Sequence, residues 1–151
     1  MEELDIYNEL LMEHAYSKRN KKELDNYDSC SLGHNPNCGD EIKIELKLSD
    51  DKSTIEEMAF SGHGCAISQA STSIMIDTLK GKSVKEAKQI IEIYLKMIRR
   101  EEISEYEEKL LKEALIFKNI SNMPARVKCA LLAWHTLEDM LNNWQNYSFM
   151  I

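Results

Sequence analysis

Proline and glycine are scarce in this sequence, at 2 and 5 of 151 residues. That scarcity excludes a collagenous, linker-rich or disordered chain. No apolar run approaches the roughly 20 residues of a membrane-spanning helix, so no membrane role is expected. The opening stretch, MEELDIYNELL, is acidic and amphipathic, where a secretory leader is basic and then apolar. A cytoplasmic protein is expected. Positive charge is in deficit, with 19 Lys and Arg against 26 Asp and Glu and a net charge of −7. Nucleic-acid affinity rests mainly on neutralising phosphates, so a nucleic-acid partner is not expected. There is also no CxxC, which leaves out thioredoxin-type motifs and paired-cysteine zinc fingers.

What is present reads as one α+β domain over 1–151, a small antiparallel sheet covered by helices. Hydrophobic residues make up 43% of the chain, enough for a core without disulfide staples. Glu3 to about Lys18 has a helical stripe of Leu4, Tyr7, Leu10, Leu11 and Ala15. Arg19 to Asn37 is polar, with Gly33 and Pro36, and is expected to be a long loop. From Glu41 to Leu48 apolar and charged residues alternate strictly, the pattern of a half-buried strand, and Ile55 to Phe60 is its expected partner. A helix is expected from about Cys65 to Lys80, stopped by Gly81. Ser83 with Glu86 makes a capping pattern for the next helix, whose stripe is Val84, Ala87, Ile91, Tyr94, Leu95 and Ile98. Glu101 to about Leu115 reads as a more acidic helical piece. The last helix is expected from Pro124 to about Trp144, burying Ala130, Ala133, Trp134, Leu137 and Leu141, with a loosely held tail over 145–151.

Four cysteines stand at 30, 38, 65 and 129, and the cytosol would keep them reduced. Cys38 and Asp40 flank Gly39 where the first strand opens; residues two apart share a side there. They read either as a thiolate and a carboxylate aimed at one metal ion such as Zn²⁺ or as a buried cysteine beside a turn-forming aspartate. Cys65 follows a glycine-rich turn at the start of a helix, where amide N–H groups and the helix dipole favour a thiolate. His63 beside it is a fourth-ligand candidate, though a solvent-facing loop histidine is the preferred reading. Cys129 falls early in the last helix with Arg126 and Lys128 close by. Three thiolates, a carboxylate and Zn²⁺ sum to a net negative charge that these cations would offset; otherwise they are ordinary solvated residues. His135 falls on another helical face and reads as packing or solvent-facing. Cys30, with only His34 near it, reads as structural or incidental, and no local signature supports a Cys/His hydrolase.

Together the segments Asn35 to Asp40 (NPNCGD), Ser61 to Ser73 (SGHGCAISQASTS) and Pro124 to Trp134 (PARVKCALLAW) resemble the U-type iron–sulfur assembly proteins, the IscU/NifU N-terminal family, and within it the SufU branch. The order of elements agrees from the first helix to about Trp144. Lys128 stands where IscU proteins carry a histidine before the third cysteine, and the acidic stretch at about 101–119 is similar to the helical insertion of SufU proteins. Ser17-Lys18-Arg19-Asn20 departs from the family's Asn-Pro-Arg-Asn.

The resemblance implies a tetrahedral Zn²⁺ site with Cys38, Asp40, Cys65 and Cys129 as ligands. It implies that Cys38 accepts sulfur as a persulfide from a partner cysteine desulfurase, a histidine of which displaces Cys38 from zinc. On this reading the protein is a zinc-dependent sulfurtransferase feeding downstream iron–sulfur assembly proteins. The alternative is a scaffold on which iron or a [2Fe–2S] cluster occupies the same ligands.

Overall fold

The structure, a computed structural model, describes residues 2–36 and 39–150, with side chains described for 9–36 and 39–143. Cys38 therefore lies outside the described residues. The elements run α1 (Glu2–Tyr16), β1 (Ser29–Asn35), β2 (Asp40–Leu48), β3 (Ile55–His63), α2 (Ala66–Leu79), α3 (Val84–Ile98), α4 (Glu105–Leu111), a 3₁₀ segment (Lys112–Asn122) and α5 (Pro124–Met150). The three strands form an antiparallel sheet in the order β1-β2-β3.

The alternation in β2 does what its period dictates. Ile42, Ile44, Leu46 and Leu48 are buried on the helix-covered face, joined there by Ile55, Met58 and Phe60 of β3. On the other face Glu45 is also buried, because the backbone N–H of Leu24 donates to its carboxylate at 2.9 Å. The loop before β1 also closes the outer edge of β3: Phe60 N–H donates to Asn20 C=O at 3.1 Å and Lys22 N–H to Phe60 C=O at 3.0 Å. In the turn joining β2 to β3, the hydroxyls of Ser49 and Ser53 bind the Asp51 carboxylate and hold its pKa down at about 2.

α2 and α5 cover the sheet, α1 packs on α2 and α3 packs on α5. Of the α1 stripe Leu11 and Ala15 are buried, while Leu4 and Tyr7 lie outside the residues whose side chains are described. All six positions of the α3 stripe are buried, and Ser83 caps that helix by accepting from Glu86 N–H at 3.0 Å. Trp134 of α5 stacks on Tyr94 of α3, ring centroids 3.8 Å apart. Its indole N–H donates to Ser71 of α2 at 3.0 Å, so α2, α3 and α5 are locked together at one point.

Three expectations need correction. Ser29–Asn35 is a strand, although its sequence is polar: its pairing with β2, from Ser29↔Leu46 to Asn35↔Asp40, satisfies a backbone that no hydrophobic alternation announces. The acidic helix is shorter than expected, Glu105–Leu111 with a full Ser104–Glu107 capping box, and beyond it the chain tightens to 3₁₀ through Asn122. The last helix continues beyond Trp144 to Met150 in its backbone.

Candidate metal centre

Three elements converge at one end of the sheet. Asp40 is the first residue of β2, facing Asn35 across the β1–β2 hairpin, and its side chain is 1% exposed. Cys65 follows β3 and caps α2: it has extended backbone, and its Sγ accepts from Ser68 N–H at 3.4 Å. Cys129 lies in the second turn of α5 and is 1% exposed. The donor atoms of Asp40, Cys65 and Cys129 all lie within 4.8 Å of one another. Cys38, the remaining residue of the expected set, is outside the described residues; its chain neighbour Gly39 has φ +69° and closes the hairpin by donating to Asn35 C=O at 2.9 Å.

The carboxylate is held from two sides. Cys65 N–H donates to Asp40 Oδ1 at 2.9 Å, and the Ser68 hydroxyl donates to Oδ2 at 2.6 Å. Oδ2 stands 4.0 Å from Cys65 Sγ. Such a set of two thiols and a carboxylate, gathered from a strand, a helix cap and a helix, suits a tetrahedral N/S/O metal site, most naturally for Zn²⁺ and also for iron.

The backbone leading into the centre admits only glycine at one point. Gly62 has φ +111°, and a Cβ there would stand 2.1 Å from the carbonyl oxygen of Glu41 in the paired strand. Gly62→Ala is expected to destabilise the fold by about 2–4 kcal/mol, adding a left-handed penalty to an overpacking one. Urea unfolding measures it; an unchanged midpoint would show that β3 can shift to accept the methyl.

The other candidates are placed as follows. Arg126 and Lys128 are exposed and make no ion pair among the described residues. His63 is exposed and faces Glu41 at 3.6 Å, and His135 is exposed and faces Glu138 at 3.6 Å. Cys30 is exposed on β1, outside the convergence.

Sequence reasoning did not foresee a second convergence, of His14, Asp77 and Glu113. Buried His14 places Nδ1 2.9 Å from Ser73 Oγ and Nε2 2.9 Å from Glu113 Oε2. Here a cation is built in: Arg19 donates to Asp77 at 2.5 Å and its Nη2 lies 3.0 Å from His14 Nε2. The cluster ties α1, α2 and the 3₁₀ segment together. Its parts come from sequence positions too distant for any spacing rule to join.

The architecture and the site define a class: a three-stranded α+β domain whose sheet end carries a carboxylate and cysteines from three separate elements. The model of the NifU-like N-terminal domain matches residues 6–130, and this chain belongs to that family. It is 40% identical over 136 residues to the iron–sulfur cluster assembly scaffold protein IscU of Thermotoga maritima, covering 90% of this chain and 92% of that one. To the zinc-dependent sulfurtransferase SufU of Bacillus subtilis it is 35% identical over 134 residues, 88% of this chain and 87% of that one. Among solved structures it is similar to the SUF-system assembly scaffold protein of Fervidobacterium islandicum, with a TM-score of 0.83 and 36% identity, covering 91% of this chain and 97% of that one. No helix among the described residues is long and apolar enough to cross a membrane.

Proposed function

We propose that this protein is a zinc-dependent sulfur acceptor for iron–sulfur cluster assembly, taking sulfur from a cysteine desulfurase. The observation that carries the reading is the convergence of Asp40, Cys65 and Cys129, with Cys38 two residues before Asp40 in the sequence. Similarity to a relative named a zinc-dependent sulfurtransferase supports it.

The residues would divide the work. Cys38, Asp40, Cys65 and Cys129 would hold Zn²⁺, which when bound keeps the thiols deprotonated and shielded from oxidation. Arg126 and Lys128, exposed beside Cys129 in α5, would offset the net negative charge of three thiolates, a carboxylate and a dication. Cys129 and Cys65 are fixed, one within a helix and one as a helix cap; Cys38, which falls in sequence between the end of β1 at Asn35 and the start of β2 at Asp40, is the acceptor. Its thiolate attacks the terminal sulfur of the desulfurase persulfide. A new S–S bond forms on Cys38, the S–S bond of the enzyme breaks, and the enzyme cysteine leaves as a thiolate with the electron pair. The exchange needs no external oxidant or reductant.

Lys128, standing before Cys129, favours the acceptor over a cluster scaffold, because the family's scaffold branch carries a histidine there. Protein purified without oxygen should be colourless with about one zinc per chain bound by deprotonated ligands. Added to a pyridoxal-phosphate cysteine desulfurase with L-cysteine, it should raise turnover. Brown, iron-loaded protein that leaves the desulfurase unaffected would replace this reading with the scaffold.

A further inference from the structure

We infer that Ser68 is a positioning residue of the centre, whose hydroxyl fixes how Asp40 presents its carboxylate and keeps that carboxylate held when it leaves a metal ion. This rests on the zinc reading above. It assigns a role to a side chain outside the ligand set.

Ser68 sits three residues beyond the Cys65 cap, in the first turn of α2, where a hydroxyl usually meets solvent. Here it is 1% exposed. It touches all three converging residues. Its N–H donates to Cys65 Sγ at 3.4 Å, and its hydroxyl lies 2.6 Å from Asp40 Oδ2, 3.4 Å from the carbonyl oxygen of Cys129 and 3.8 Å from Cys65 Sγ. A hydroxyl has one proton to give. The shortest contact, to a carboxylate, takes it, and its length is that of a charge-assisted bond.

Two consequences follow for Asp40. With Cys65 N–H on Oδ1 and Ser68 on Oδ2, rotation about the Cβ–Cγ bond is stopped from both ends. Oδ2, the oxygen 4.0 Å from Cys65 Sγ, is then presented as a single donor. Without the Ser68 hydroxyl Oδ2 would lose that orientation; with it the carboxylate stays hydrogen-bonded at both oxygens whether or not Oδ2 binds a metal ion, so no buried acceptor is orphaned.

The test is zinc affinity, by competition with a chromogenic chelator, in Ser68→Ala and Ser68→Thr, with the Co²⁺ spectrum as a second readout. Ser68→Ala should bind zinc roughly 10–100-fold more weakly, the range for removing a hydrogen-bond partner of a ligand. Its thiolate-to-cobalt charge-transfer bands should persist while the ligand-field bands shift, because only the oxygen donor has changed. Ser68→Thr keeps the hydroxyl and should restore the parent spectrum. A merely structural serine would lower the melting temperature of the metal-free protein and leave the cobalt bands alone. Parent-like zinc affinity and superimposable cobalt bands in Ser68→Ala would overturn this assignment alone. A parent that binds no zinc would overturn the zinc reading and this one with it.

Discussion

Cys38→Ala should take up no sulfur. Incubated with a cysteine desulfurase and L-cysteine, the parent protein should gain one sulfur on Cys38 by mass spectrometry, and the alanine variant should gain none and should not stimulate turnover. Anchorage separates the three cysteines. Cys129 is buried inside α5, and moving its sulfur would disturb a helix locked to α2 and α3 through Trp134. Cys65 caps α2 with the same sulfur a ligand role requires, and its N–H holds Asp40. A sulfur acceptor must reach a partner's persulfide and then give the sulfur up, which neither helix-anchored cysteine is placed to do, leaving Cys38 between β1 and β2 in the sequence. Cys30→Ala is the control, since Cys30 lies on β1 outside the convergence; it should behave as the parent. Persulfide on Cys65 or Cys129, with Cys38→Ala still accepting sulfur, would contradict the assignment.

The second large effect concerns the metal. Cys65→Ala removes a thiolate and the cap of α2 together, so it confuses two losses. Cys65→Ser separates them. Serine is among the best N-cap residues, and its oxygen can accept from Ser68 N–H as the sulfur does. It is a poor substitute for a thiolate on zinc. Cys65→Ser should therefore lose most of its zinc in elemental analysis while the metal-free variant melts close to the metal-free parent. Cys65→Ala should lose zinc and also about 1 kcal/mol from the missing cap. Structural zinc in small peptides contributes roughly 10–16 kcal/mol to folding. This chain has its own core, so the parent should gain less than that on zinc binding and still fold when stripped. Full zinc occupancy in Cys65→Ser would remove Cys65 from the ligand set.

Legibility followed burial. The stripes of α3 and α5 and the alternation of β2 were readable because each buries one face among apolar residues and leaves the other mostly to charged ones, which imposes a period. β1 was not readable: its inward positions include Gly33 and Asn35, and what makes it a strand is the backbone ladder to β2. The 3₁₀ segment was missed for a related reason. Ala114, Phe117 and Ile120 repeat every third residue, a spacing compatible with either helix type until packing chooses. At the centre, three motifs led to Asp40, Cys65 and Cys129, because cysteines with glycine, aspartate or cations beside them call for a chemical reason. Ser68 gave no such sign. A serine in a first turn is ordinary, and only the approach of β2 to α2 makes it a donor to Asp40.

Gly62 and Gly39, two of the glycines near the centre, place different demands on the chain. Gly62 is required on both torsional and steric grounds, since its left-handed backbone runs against the Glu41 carbonyl with no room for a methyl. Gly39 is also left-handed, at φ +69°, but a Cβ there would meet nothing among the described residues within 4 Å. Its requirement is torsional alone, and asparagine or aspartate, which tolerate that region, could meet it. The backbone at Gly39 would therefore accept an asparagine, while that at Gly62 would accept no side chain at all.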